Sequence, residues 1–292
     1  MNTCLDCLPC IFRQTLDAAR RVSDDPAFHE RVARQVAAWI HAADLKESPP
    51  VMAQRLHRFL KGVTGVEDPY AEAKARDNAL ALSLLPELRE RLARSAEPFA
   101  LAVRLAIAGN LIDLGPKSDL TADEVVGSIR RVEEAPFSGD VTALRRRAEE
   151  ARTILYLADN AGEIVLDRLL IEALVPERVT VAVRGGPIIN DATYVDAEAA
   201  GLTELVRVID NGSDAPGTIL EDCSPTFQRL FAEADLVISK GQGNFETLSG
   251  SPRPIFFLLR VKCPVVARDT GCPTGRMLLT SPEHPVLASG TQ

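Results

Sequence analysis

The stretch TILYLADNAGE, residues 153–163, holds a change of grammar in this chain. A short β-rich run, Thr153 to Ala158, passes straight into a polar turn, Asp159 to Glu163, and a helical stretch over 162–174 follows. The same unit recurs downstream. Val179 to Val183 leads into Arg184, Gly185 and Gly186, then Asn190 and Asp191. Leu205 to Ile209 leads into Asp210, Asn211 and Gly212, and Leu236 to Ser239 leads into Lys240, Gly241, Gln242, Gly243 and Asn244. Ile255 to Leu259 is a fifth run, and 225–234 reads as another helix. Strands alternating with helices imply a parallel sheet with helical crossovers.

Upstream the pattern is almost entirely helical. Segments 10–24, 27–43 and 50–62 carry apolar residues three and four apart, as in Val32, Val36 and Ile40. Asp68 and Pro69 predict an N-cap and a helix-opening proline, and Leu80, Leu84, Leu88 and Leu92 continue that helix's buried stripe. Pro86 is expected to kink or split it. A further helix over 98–109 should end at Gly109, and Thr121 with Glu124 has capping-box spacing. The expectation is an α/β fold: a helical subdomain over 1–97, an α/β core over 98–292, and a loosely ordered end to the tail that begins near Ser281.

Composition narrows the function classes. The 292 residues are 46% hydrophobic and 25% charged, enough for an ordinary globular core. No apolar run approaches the ~20 residues of a membrane helix, and Met1 to Cys10 lacks the pattern of a signal peptide. A cytoplasmic location is therefore expected. Net charge is −8, and the densest basic run, Arg145 to Arg147, is followed by Glu149 and Glu150, against a nucleic-acid groove. Oligomeric state is not legible.

Ligands of open parallel sheets bind outside the carboxyl ends of the strands. Four consecutive strand ends here carry polar, glycine-rich loops, all at one sheet edge. Carboxylate and amide oxygens are hard ligands suited to Mg²⁺ or Mn²⁺. Lys240 adds a point charge, and Gly162 and Gly241 would let backbone N–H groups approach an anion. Together they make a phosphoryl clamp. Singly, each has a plainer reading: Asp159 or Asp191 as an N-cap, Asn211-Gly212 as a turn, Lys240 as a solvated lysine. The four histidines are scattered, and no Gly-x-Ser-x-Gly or Walker A pattern occurs. Gly241-x-Gly243 begins a dinucleotide fingerprint, but Glu246 stands at the third glycine position.

Cys4, Cys7 and Cys10 form a dense N-terminal run. They read either as a zinc, iron–sulfur or redox site, with Cys263 or Cys272 as a fourth ligand, or as reduced cysteines packed at a helix start. A disulfide framework is not expected in a cytoplasmic chain of this length.

In these residues the chain resembles the damage-control phosphatase family, in its short prokaryotic branch with N-terminal cysteines. The likeness covers nearly the whole chain. It runs through Cys4-x-x-Cys7, Asp68-Pro69-Tyr70-x-x-x-Lys74, Ala108-Gly109-Asn110-x-x-Asp113 and Asp159-Asn160-Ala161-Gly162-Glu163. It continues through Asn190-Asp191-Ala192-Thr193, Asp210-Asn211-Gly212 and Lys240-Gly241-x-Gly243-Asn244. The resemblance implies a three-layer α/β/α core with a parallel-rich sheet and a helical subdomain over the site. It implies Asp159, Asn160 and Asp191 as metal ligands, with Mn²⁺, Co²⁺ or Ni²⁺ often favoured over Mg²⁺. Lys240 matches the phosphate-contacting lysine, and Asn110 and Asp113 are expected at the cleft from the helical side. The expected function is metal-assisted hydrolysis of sugar phosphates or damaged cofactor phosphates by water. Asp159, Asp191 and Lys240 are catalytic in this reading, and Lys240, Gly241, Asn244, Asn110, Asp113 and Glu163 bind substrate. Asp159 as a covalent nucleophile is the variant mechanism. The alternatives are a non-catalytic metal- or nucleotide-binding regulator and, ranked lowest, a carboxyl methyltransferase.

Overall fold

In a computed structural model that describes residues 1–112 and 121–283, the helical half opens the chain. It comprises α1 (Cys7–Val22), α2 (Pro26–His41), α3 (Pro49–Thr64), α4 (Ala71–Arg94) and α5 (Pro98–Ala108). After α6 (Ala122–Arg130), β1 (Phe137–Ser138) and α7 (Val141–Glu150), the alternation begins. It runs β2 (Ile154–Leu157), α8 (Glu163–Ala173), β3 (Val179–Val183), α9 (Tyr194–Ala199), β4 (Arg207–Asp210) and α10 (Pro225–Glu233). It closes with β5 (Leu236–Lys240), α11 (Gly241–Leu248), β6 (Ile255–Arg260), α12 (Pro264–Thr270) and β7 (Met277–Thr280). No described helix is long and apolar enough to cross a membrane.

The seven strands form one sheet in the order β1-β7-β6-β5-β2-β3-β4. All neighbours run parallel except β6 and β7. Every residue of β2 and β5 is buried, because helices cover both faces and leave no solvent side to demand alternation. Leu84, Leu88, Leu105 and Leu166 pack on one face, and Phe227, Phe231, Phe245 and Val266 on the other. This is the three-layer α/β fold. From β2 the chain moves outward to β3 and β4, then returns to lay β5 and β6 on β2's other side. The strand order therefore reverses between β2 and β5, the position that opens a crevice at the carboxyl ends.

Two expectations change. Pro86 does not split its helix: α4 is continuous over Ala71–Arg94. Pro86 and Leu82 lie on the exposed side, so the carbonyl that loses its partner can meet water. Strands β1 and β7 escaped the reading, β1 because two residues carry no periodicity. The Thr121–Glu124 capping box is formed. The expected boundary near residue 97 falls between α4 and α5, although α4 already joins the apolar cluster of α5, α8 and the sheet. By contrast α1–α3 have their own core around Ile11, Val32, Val36, Leu56 and Leu60, with Ile189 packed against it from the loop after β3.

Candidate active site

The switch point brings Asp159, at the end of β2, against Gly241, at the start of α11. Gly241 has φ +77°, and a Cβ on it would lie 1.9 Å from Asp159 Oδ2. Glycine is required there on both counts. Asn160 and Asp191 pair as an isolated antiparallel bridge, with Ala161 N donating to Asn190 O (2.9 Å) and Ala192 N to Asp159 O (2.7 Å). The loops after β2 and β3 are thus stitched together, and all three expected metal ligands meet at one spot. The Asp191 loop passes through Ile189 at φ +45°, an uncommon conformation for a β-branched residue.

Beneath this trio lies a closed polar layer. Asn160 Nδ2 donates to Asp159 Oδ2 (3.0 Å) and Glu163 Oε2 (3.2 Å), and Asn110 Nδ2 donates to the same two carboxylates (3.3 and 2.7 Å). With its N–H groups committed that way, Asn160 turns its carbonyl oxygen to the opposite side. Glu163 Oε1 accepts from Lys240 Nζ at 2.7 Å. Lys240 also donates to Ala106 O (2.9 Å) and to Asp167, whose carboxylate accepts from Tyr156 as well (2.9 Å).

Lys240, expected at the phosphate, has a fully buried side chain whose three protons meet three protein acceptors. Burial alone would lower its pKa, but Asp167 and Glu163 hold it up at about 12. Burial pushes Asp167 up to about 7 against the pull of Lys240. Glu163 and Asn110 are likewise consumed below the ligands and do not line the cleft.

Asn244 is also occupied. Its Nδ2 donates to Ala158 O (3.1 Å) and Lys240 O (2.8 Å), while Oδ1 accepts from Thr218 (2.8 Å) and Arg184 Nη1 (3.1 Å). Arg184 is a second buried cation of the site, with Nε on Asp191 Oδ2 at 2.6 Å and Nη2 3.6 Å from Asp159 Oδ1. Sequence reasoning did not single it out, although it directly follows β3. Asp113 lies outside the described residues.

Above the trio a cavity of about 380 Å³ is roofed by α1, α3 and α4. Ile11, Pro49, Pro50, Ala53 and Tyr70 make its wall apolar, and Arg21 stacks over Tyr70 at 4.4 Å. Two groups at this cleft escaped the sequence reading of roles. Asn190 Nδ2 is buried without a hydrogen-bond partner among the described residues. Lys262, after β6, is exposed and its positive charge opposes the rise in the Asp159 pKa. The signal for Lys262 was its place just beyond a strand end.

The donor set suits a hard divalent ion. Two buried carboxylates and an amide oxygen offer oxygen ligands while leaving room for water and phosphate oxygens. Burial, followed by the charges of Asp191 and Glu163, raises the Asp159 pKa well above the usual carboxylate range, a penalty that a cation relieves. Among the described residues no three His, Cys, Asp or Glu side chains form a ready-made cage, at this site or at the N-terminal cysteines.

The comparisons agree with this architecture. The chain is 35% identical to an uncharacterized protein of Methanocaldococcus jannaschii, over 94% of this chain and 93% of that one. It is 36% identical to a damage-control phosphatase of Archaeoglobus fulgidus, over 93% and 96% of the two chains. A crystal structure of a DUF89 family protein from Pyrococcus horikoshii superposes with a TM-score of 0.86 at 32% identity, covering 96% of this chain and 99% of that one. The signature described as the damage-control phosphatase ARMT1-like domain matches residues 3–278, which span the strand-end loops and the helical roof together, and the chain belongs to that family.

Proposed function

We propose that this protein is a divalent-metal-dependent phosphatase that hydrolyses small phosphorylated metabolites, sugar phosphates or damaged cofactor phosphates, in metabolite repair. Family membership supports a phosphatase. The observation that carries the reading is the meeting of Asp159, Asn160 and Asp191 at the floor of a cleft that also holds Lys262 and Asn190 Nδ2, unpartnered among the described residues.

Asp159, Asn160 and Asp191 would hold Mn²⁺, Mg²⁺, Co²⁺ or Ni²⁺. Bound there, the ion supplies Lewis-acid polarisation of the phosphoryl group and a more acidic water. Lys262 and Asn190 take the phosphoryl oxygens, with Lys262 in the role first given to Lys240. Arg184 keeps the Asp191 carboxylate in one orientation, and the Lys240–Glu163 pair holds the Asn160 N–H groups, so that the Asn160 oxygen would be available as a ligand. The apolar wall from α1, α3 and Tyr70 excludes bulk water. Water is the nucleophile.

The test is phosphate release from a panel of sugar and cofactor phosphates by metal-stripped protein, with each divalent ion restored separately. Metal-dependent turnover that vanishes in Asp159→Ala is the expected result. Stoichiometric metal binding with no release from any ester would instead indicate a regulatory binding protein.

A further inference from the structure

The proposed phosphoryl chemistry assigns no role to the N-terminal cysteines, although Cys7 and Cys10 line the same cavity as Asp159, Asn160 and Asp191. Cys7 opens α1, and Cys4 precedes it in a turn closed by Cys7 N donating to Cys4 O at 2.9 Å. That turn sets the two sulfurs 3.6 Å apart, in van der Waals contact. Both are free thiols. A disulfide needs about 2.05 Å between sulfurs, so closure requires the two sulfurs to approach further from 3.6 Å. The pair is anchored from both sides. Thr3 donates through N and Oγ1 to Glu47 O (2.9 and 2.7 Å), and α1 packs on α3.

The two thiols differ. Arg268 of α12 brings Nη2 to 3.7 Å from Cys4 Sγ and to 3.1 Å from Asp6. Of the two sulfurs, Cys4 is the one that the Arg268 guanidinium faces. Among the described residues no guanidinium donates to Cys7; burial, with Cys4 and Glu246 nearby, pushes its thiol up to about 12. Cys10 is exposed, and Cys263 accepts a contact from Gln242 Nε2 at 3.5 Å.

We propose that Cys4 and Cys7 are a redox-active thiol pair that closes reversibly to a disulfide at the rim of the cleft, with Cys4 as the attacking thiol. The oxidant class is a low-molecular-weight disulfide, RSSR. Cys4 loses its proton to solvent and its thiolate attacks one sulfur, forming a Cys4–S–S–R bond and breaking the R–S–S–R bond, with RS⁻ leaving. Cys7, losing its proton, then attacks the Cys4 sulfur and expels the second RS⁻. Both leaving thiolates are reprotonated, so two protein thiols and RSSR yield one protein disulfide and two RSH. The site is independent of the phosphatase reading, and neither stands on the other.

The experiment incubates the full chain with oxidised glutathione, traps remaining thiols by alkylation and reads the mass. Loss of two of the six alkylatable thiols without a glutathione adduct, reversed by dithiothreitol, is expected. It should persist in Cys10→Ser. Cys7→Ser should stop at a single glutathione adduct, and Cys4→Ser should give no N-terminal disulfide. A native fold of each variant by circular dichroism makes these readings comparable. Thiols that stay reduced in excess oxidised glutathione, or a disulfide that survives Cys4→Ser, would overturn the proposal. So would stoichiometric zinc that shields both sulfurs in the untreated protein, since that assigns the pair to a metal.

Discussion

The α-carbon of Gly241 rests directly on the Asp159 carboxylate, close enough that a methyl group there would fall 1.9 Å from Oδ2. The start of α11 thus packs against the acid at the end of β2. Gly241→Ala should displace that carboxylate and strain a backbone held at φ +77°. We expect a stability loss of roughly 1–3 kcal/mol and loss of most Mn²⁺ affinity by calorimetry. Gly250→Ala is the control: a Cβ there meets nothing within 4 Å, so its effect should stay within about 0.5 kcal/mol. Equal behaviour of the two variants would contradict the contact.

Two lysines separate support from substrate contact. Lys240→Met would leave Glu163 and Asp167 buried without their cation, costing about 3–5 kcal/mol in urea unfolding. Lys262→Ala removes an exposed charge and should leave stability within about 0.5 kcal/mol. It should lower kcat/KM for a phosphate ester by roughly 10- to 100-fold, the loss of one charged contact to the phosphoryl group. Full activity in Lys262→Ala would return the phosphate contact to another group.

Metal should stabilise the folded chain. At a free Mn²⁺ concentration 100 times its dissociation constant, linkage gives about 2.7 kcal/mol, seen as a rise in Tm. In Asp191→Asn the rise should disappear, while Arg184, buried at 2% exposure, keeps a neutral hydrogen-bond partner. An undiminished Tm shift in that variant would move the ligand set away from Asp191.

Glu246 supplies a pH signature of stability. Burial pushes its carboxyl up from 4.5 to about 7. Between those values the folded chain keeps a proton that the unfolded chain has released, so this contribution to stability falls as pH rises and levels off above pH 7. The full difference is roughly 3 kcal/mol. Glu246→Gln should therefore gain on the wild type between pH 5 and pH 8 by an amount of that order in urea unfolding. Parallel pH curves for the two proteins would refute it.

The alternation after residue 152 was legible because strands buried on both faces are mostly apolar runs: β2 is one throughout, and β3, β5 and β6 are broken only by Thr180, by Ser239 and Lys240, and by Arg260. The loops at their carboxyl ends marked the site, since parallel topology alone sends those ends to one edge. Sequence by itself therefore determined the α/β core and the neighbourhood of Asp159, Asn160 and Asp191. It did not determine which polar side chain faces the cleft. Lys240 ends β5 and Lys262 lies just beyond β6. Only the packing of α5 and α8 under the sheet edge turns Lys240 inward onto Ala106 O, Glu163 and Asp167. Lys262 meets no such cover and stays exposed at the rim. Asn110 and Glu163 were submerged in the same way, and Arg184 was drawn between two acids that lie 32 residues apart in the chain. Burial of a charge is permitted only where partners converge from distant segments, and that convergence is a property of the tertiary structure.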